Sequence, residues 1–110
     1  MIAVSCKKSE QEIITHQHSA TIKVTVYKLL SNGNQVFIKG ALVQLYKSKD
    51  DRDAGLNEEK EGLTDSTGMV SFFTLTEEYY YIKSSHPSYG TEFEEVNTPD
   101  KTVSFVDIIY

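Results

Sequence analysis

The chain has 110 residues, room for one domain with its own core but not for two. Its net charge of −5 and its single arginine, Arg52, exclude a basic phosphate-binding surface and with it a nucleic-acid partner. The acidic balance also disfavours purely electrostatic attachment to anionic lipid. With no Trp, the aromatic load falls on seven Tyr and five Phe, side chains suited to half-buried strands.

Cys6 is the only cysteine, so no disulfide can form within the chain. It follows Met1-Ile2-Ala3-Val4-Ser5 and precedes Lys7-Lys8-Ser9-Glu10. This run resembles the end of a bacterial lipoprotein signal of the relaxed, Bacteroidetes-like kind, in which the Cys thiol is acylated and becomes the mature N-terminus. Ala3 stands where Leu is usual, and five residues are short for a secretory signal, which a misassigned start or a trimmed leader explains. The resemblance implies lipidation at Cys6, a membrane link through that lipid, and an address in the cell envelope, at the outer membrane or the periplasmic face. Residues 1–19 then read as residual signal and tether, and 20–110 as the folded domain. Within the tether, His16 and His18 form a His-x-His pair, but no third ligand stands nearby and no metal site is expected.

From Ala20, Ile22, Val24 and Val26 alternate with Lys23, Thr25 and Tyr27, the period of a half-buried strand. Ser31-Asn32-Gly33-Asn34 is a turn, and a short segment, 35–38, leads to a second alternating strand, Gly40 to Tyr46. Lys47 to Asn57 is highly charged and without period, and reads as the longest loop. Its Asp50, Asp51, Asp53, Asn57, Glu58 and Glu59 are potential oxygen ligands whose spacing does not fit an EF-hand, so a solvated acidic loop is expected in place of a calcium site. Glu59 to Thr64 reads as a charged edge strand. Thr64 to Gly68 is a turn, followed by strands at Met69 to Phe73 and Tyr79 to Ser84, with Leu75 plugging the core between them.

His86-Pro87-Ser88-Tyr89-Gly90 breaks the pattern, and either an exposed imidazole or a cis peptide is expected there. Strands at Thr91 to Val96 and Thr102 to Ile109 flank the turn Asn97 to Asp100. The last strand has a phase conflict, because Val103 and Phe105 share one face and Val106 and Ile108 the other. Either a bulge shifts its register or both faces are covered, and a deeply buried strand beside the first is expected. The expected fold is a single all-β, approximately seven-stranded antiparallel Greek-key β-sandwich.

Gly40-Ala41-Leu42-Val43-Gln44-Leu45-Tyr46, then Thr64-Asp65-Ser66-Thr67-Gly68-Met69-Val70-Ser71-Phe72, then Leu75 and Tyr80-Tyr81-Ile82, resemble the transthyretin-like (prealbumin-like) superfamily. That superfamily includes carboxypeptidase regulatory-like domains and the collagen-adhesin B-type and pilin repeats. The resemblance implies a stalk, spacer or binding module on a secreted or surface protein, with no cofactor. It raises two further chemistries. An internal isopeptide bond would take Lys23 or Lys28 as amine and Asp107 as acceptor, but Ser84 stands where such repeats place the assisting acid, so Lys28 and Asp107 are expected to be bridged by charge or exposed. Hydrolysis of the transthyretin-like kind would need a Tyr-Arg-Gly-Ser ending, where this chain has Asp107-Ile108-Ile109-Tyr110. No enzyme is expected. The remaining options are binding of a surface protein or glycan, with Tyr27, Tyr46, Tyr79 and Tyr81 as outward candidates, or assembly into a polymer by edge-strand pairing at Glu59 to Thr64 or Thr91 to Val96.

Overall fold

A computed structural model describes residues 17–110. Cys6 and His16 lie outside the described residues. Within that span eight strands and one short helix follow in order: β1 (Ala20–Leu29), β2 (Gln35–Phe37), β3 (Leu42–Tyr46), α1 (Lys49–Ala54), β4 (Lys60–Leu63), β5 (Met69–Leu75), β6 (Tyr79–His86), β7 (Gly90–Asn97) and β8 (Val103–Ile109). They form a two-sheet sandwich. The strand beyond seven is β2, too short to carry a period of its own.

In the first sheet β1 is central. Its residues Ala20 to Thr25 pair with β5 and Tyr27 to Leu29 with β2, while β8 runs along the opposite side. The β1–β8 pair is parallel, so the sandwich is not antiparallel throughout. The second sheet has the order β4-β3-β6-β7, all antiparallel, which leaves β4 and β7 as its edges, β4 being the charged edge strand expected over 59–64.

The core is what the alternation dictates: Ile22, Val24, Val26, Val43, Leu45, Phe72, Tyr80 and Ile82 face between the sheets, with Leu75 fully buried among them. Tyr80 closes one end by accepting the Thr76 and Glu77 N–H groups on its hydroxyl, at 3.2 and 3.3 Å. Thr64 fixes another junction. It is buried, its hydroxyl donates to the Ile38 carbonyl at 2.6 Å, and the Ala41 N–H donates to that same oxygen at 2.9 Å. Thr64→Val keeps the volume but strands two buried backbone groups, so a loss of about 1.5 kcal/mol in denaturant unfolding is expected. An unchanged midpoint would show that neither bond contributes.

The turn after Thr64 is built by one carboxylate. Asp65 Oδ1 accepts from the Thr67 N–H (2.8 Å), the Thr67 hydroxyl (2.6 Å) and the Met69 N–H (3.2 Å). The Thr67 hydroxyl, followed by the two backbone donors, holds the Asp65 pKa below its ordinary value.

Lys49–Ala54 corrects the expectation of an unstructured loop. Ser48 caps the helix by accepting the Asp51 N–H, Asp50 and Asp51 occupy the first turn, and Gly55 ends it at φ 70°. Two acids of the cluster, Asp50 and Asp51, therefore stand at a helix N-terminus, and Asp53 pairs with Arg52 at 3.1 Å. Glu59 is occupied separately by an ion pair with Lys47 at 3.3 Å.

Strand β8 resolves its phase conflict without a bulge, since its register against β1 is continuous. Val106 and Ile108 face the core, and the expectation that both faces are covered is corrected: Val103, Phe105 and Ile109 lie exposed on the outer face.

The His86–Gly90 break is a tight turn with the Tyr89 N–H bonded to the His86 carbonyl at 3.3 Å, and the peptide before Pro87 is trans. The His86 ring is engaged on both nitrogens, by the Lys39 carbonyl and the Ser88 N–H.

Candidate functional site

The four tyrosines do not form one surface. Tyr27 lies on the outer face of the first sheet, and Tyr46, Tyr79 and Tyr81 lie on that of the second. Tyr27 and Tyr46 also correct the expectation of exposure. Both point away from the core, yet Phe37 packs edge-on against Tyr27 with centroids 6.2 Å apart. Tyr46 is 1% exposed, at the end of the second sheet where α1 packs on β3 and β6. Burial, then the charges of Glu58 and Glu61, raise the Tyr46 pKa.

Tyr81 sits beneath Arg52. The guanidinium carbon lies 5.5 Å from the Tyr81 ring centroid and 4.9 Å from that of Phe93, and Nη1 donates to the Glu94 carbonyl at 2.9 Å. The chain's single arginine is thus a structural clamp between α1 and the second sheet. Tyr79 stacks edge-on against Tyr81, centroids 5.2 Å apart, and its hydroxyl donates to Glu95.

That hydrogen bond, ahead of desolvation and charge, pushes the Tyr79 pKa from 10.0 to about 12. The neutral phenol is favoured in the folded state, so the contribution of the pair is complete below pH 10.0 and is lost as pH rises through about 12. Titration by ultraviolet difference spectroscopy should show one tyrosine delayed to about 12 that returns towards 10.0 in Glu95→Gln. A Tyr79 that titrates alike in both proteins would contradict the bond.

Lys28 and Asp107 do not meet. By the period-2 rule Lys28 belongs to the inward parity of β1 and Asp107 to the outward parity of β8, and both are exposed. Lys28 Nζ lies over the Tyr89 ring, 5.3 Å from its centroid. Ser84, at the position of the assisting acid, is buried and hydrogen-bonded to the Tyr110 hydroxyl at 2.7 Å.

His18 Nδ1 lies 3.1 Å from the Leu75 carbonyl, which fixes the proton on that nitrogen. Among the described residues no group of three or more His, Cys, Asp or Glu side chains is placed to hold a metal. A cleft of about 460 Å³ lies at one end of the second sheet, lined by Leu42, Leu63, Ser85, His86, Pro87 and Thr91.

The most distinctive surface is β8 and the sheet face beside it. Among the described residues β8 pairs only with β1. The Tyr110 N–H bonds to the Tyr27 carbonyl, and the Thr21 N–H to the Thr102 carbonyl. Even-numbered residues of this strand therefore turn their backbone groups towards β1, and Val103, Phe105, Asp107 and Ile109 turn theirs to the open edge.

The edges of the second sheet are charged. β7 carries Glu92, Glu94 and Glu95, β4 carries Lys60 and Glu61, and Lys60 Nζ occupies the Phe73 carbonyl at 2.8 Å. Strand β8 has one charge, Asp107, and its Phe105 is 74% exposed. On the outer face, Val103 and Phe105 lie in register with Thr21 and Lys23, and Ile109 with Tyr27, beyond which stands Phe37. No signal short of the pairing partner of β8 could reveal this, because period gives the face of a residue and not what covers that face.

The architecture is a two-sheet β-sandwich, and solved structures share it. A minor pilin of Streptococcus agalactiae, GBS52, superposes with a TM-score of 0.65 at 15% identity, over 84% of this chain and 44% of that one. PA1324 of Pseudomonas aeruginosa, described as a candidate carbohydrate-binding protein, gives 0.62 at 16% identity over 92% of this chain and 96% of its own. The TIE protein of Bacillus anthracis gives 0.57 at 13% identity, over 84% of this chain but 16% of that one. The chain thus spans less than half of the pilin and a small part of the TIE protein. No family model matches the chain, and no curated protein matches it in sequence.

Proposed function

We propose that this protein is a non-enzymatic binding or structural module of a bacterial cell envelope, tethered by a lipid on Cys6, that engages a protein partner through β8 and the adjoining outer face. The observation that carries the reading is the edge of β8 that no strand pairs among the described residues, with Val103, Phe105 and Ile109 exposed beside it. A row of unpaired backbone groups flanked by apolar side chains is satisfied by a polypeptide strand. A sugar cannot continue a backbone ladder, so the row of backbone groups along β8 favours a polypeptide strand over a glycan. A minor pilin and a candidate carbohydrate-binding protein among the structural neighbours support a surface module in general terms. The lipid and the envelope address rest on the Cys6 run.

The anchor is tested by intact mass and membrane fractionation of the protein expressed from its native locus, where an acylated Cys6 is expected and an unmodified soluble chain contradicts it. The surface is tested by placing a photoreactive benzoylphenylalanine at Phe105 in native cells, with Glu58 on the opposite sheet's loop as control. Adducts from position 105 and not from 58 are expected. Equal yields, or none from 105, would sink the assignment.

A further inference from the structure

Resting on that reading of the β8 face, we propose that its partner is a second copy of this chain, joined by antiparallel β8–β8 pairing about a two-fold axis at Val106. Backbone parity and charge select this arrangement. The free backbone groups belong to the odd-numbered residues, and an axis at Val106 sets odd against odd: Val103 faces Ile109 of the second copy, and Phe105 faces its Asp107. Every residue from Val103 to Ile109 is then paired, and the outer faces of both copies stay on one side of a continuous sheet. A slip by one residue would set odd against even and invert the faces.

Charge distinguishes the remaining registers. Lys23 lies in register with Phe105 on the outer face, and neither it nor Asp107 has an ion-pair partner within the described residues. With the axis at Val106, Asp107 of the second copy stands beside Phe105. Its backbone is two strands, roughly 10 Å, from that of Lys23, within the combined reach of the two side chains. Symmetry makes two such Lys–Asp pairs. An axis at Phe105 would carry Asp107 away to the Val103 row, and an axis at Asp107 would place the two carboxylates opposite each other. On β7, by contrast, Glu92, Glu94 and Glu95 would repel a second copy.

The test is sedimentation of the full chain under reducing conditions, which keep Cys6 from forming a disulfide. A reversible dimer with Kd between roughly 1 μM and 1 mM is expected. Lys23→Glu and Asp107→Lys should each weaken association by roughly tenfold or more, because each turns both symmetric pairs into like-charge contacts. An equimolar mixture of the two variants should recover the wild-type affinity as a heterodimer. The carboxylate introduced at position 23 of one chain then meets the ammonium introduced at position 107 of the other, while the native pair is kept on the opposite side. No contact within a single chain can be repaired by mixing. Phe105→Pro, which removes an N–H directed away from β1, should fold and stay monomeric. A wild type that remains monomeric, a dimer indifferent to both charge variants, or a mixture no tighter than its components would overturn the proposal. If the chain is monomeric while position 105 cross-links in cells to a different protein, self-pairing fails and the surface reading stands. Absence of any adduct from 105 removes the surface reading itself.

Discussion

Gly68→Ala should lower the stability of the folded chain by about 3 kcal/mol, equivalent to about 15 °C in Tm for a domain of this size. Gly68 ends the turn made by Asp65 and sits at φ 76°, where an L side chain is already strained. The added Cβ would lie 2.5 Å from the Val26 carbonyl oxygen, 3.1 Å from Phe37 Cβ and 3.2 Å from the Ile38 nitrogen. The first and last of these are backbone atoms tied into the sheet, since the Ile38 N–H donates to that same Val26 oxygen and the Val26 N–H donates to the Gly68 carbonyl. Relief therefore requires β1 and β2 to part from the turn.

Gly33→Ala is the matched control. Gly33 has φ 89° with nothing within 4 Å of an added Cβ, so only the conformational penalty of about 1 kcal/mol remains. Thermal unfolding of the two variants separates collision from backbone preference. Equal losses would show that the Val26 carbonyl does not confine position 68.

Arg52→Ala should cost about 2.5 kcal/mol and release α1 from the second sheet. A helix of six residues does not persist alone, and Arg52 is its one buried residue, held between Tyr81 and Phe93. Truncation removes the stacking of the guanidinium and frees the Glu94 carbonyl. Arg52→Lys should recover less than half of the loss, because an ammonium on a flexible stem lacks the planar face that lies on both rings. Denaturant unfolding, read beside the near-ultraviolet dichroism of Tyr81, measures both effects. A change below about 0.5 kcal/mol for the alanine variant would contradict the clamp.

How far the sequence discloses this structure depends on which quantity is asked for. Side-chain parity is legible: Ile22, Val24 and Val26, Val43 and Leu45, and Tyr80 and Ile82 are buried where alternation puts them. The turns at Asn32-Gly33 and Asp65 to Gly68 follow from residues that accept positive φ or bond their own backbone. Helix α1 escapes a reading by period because its packing residue is an arginine and six residues hold no apolar repeat, although Ser48, the following acids and Gly55 spell both of its ends. Tyr27 and Tyr46 take the outward faces that alternation gives them and are still buried, since Phe37 covers one and the α1 end of the sheet covers the other. The same gap between parity and coverage hides the candidate site. Val103 and Phe105 signal an apolar outer face on β8, and only the strand pairing shows that its far edge has no partner among the described residues.

A partner can add to β8 only if its outer edge is open, and amide hydrogen exchange of the dilute full chain, resolved residue by residue, tests that most directly. The N–H groups of Ser104, Val106 and Ile108 face β1 and should exchange slowly, while those of Val103, Phe105, Asp107 and Ile109 face solvent and should exchange fast, becoming protected as concentration rises. If all seven are protected equally at high dilution, the chain covers this edge itself, and β8 is not available to a partner.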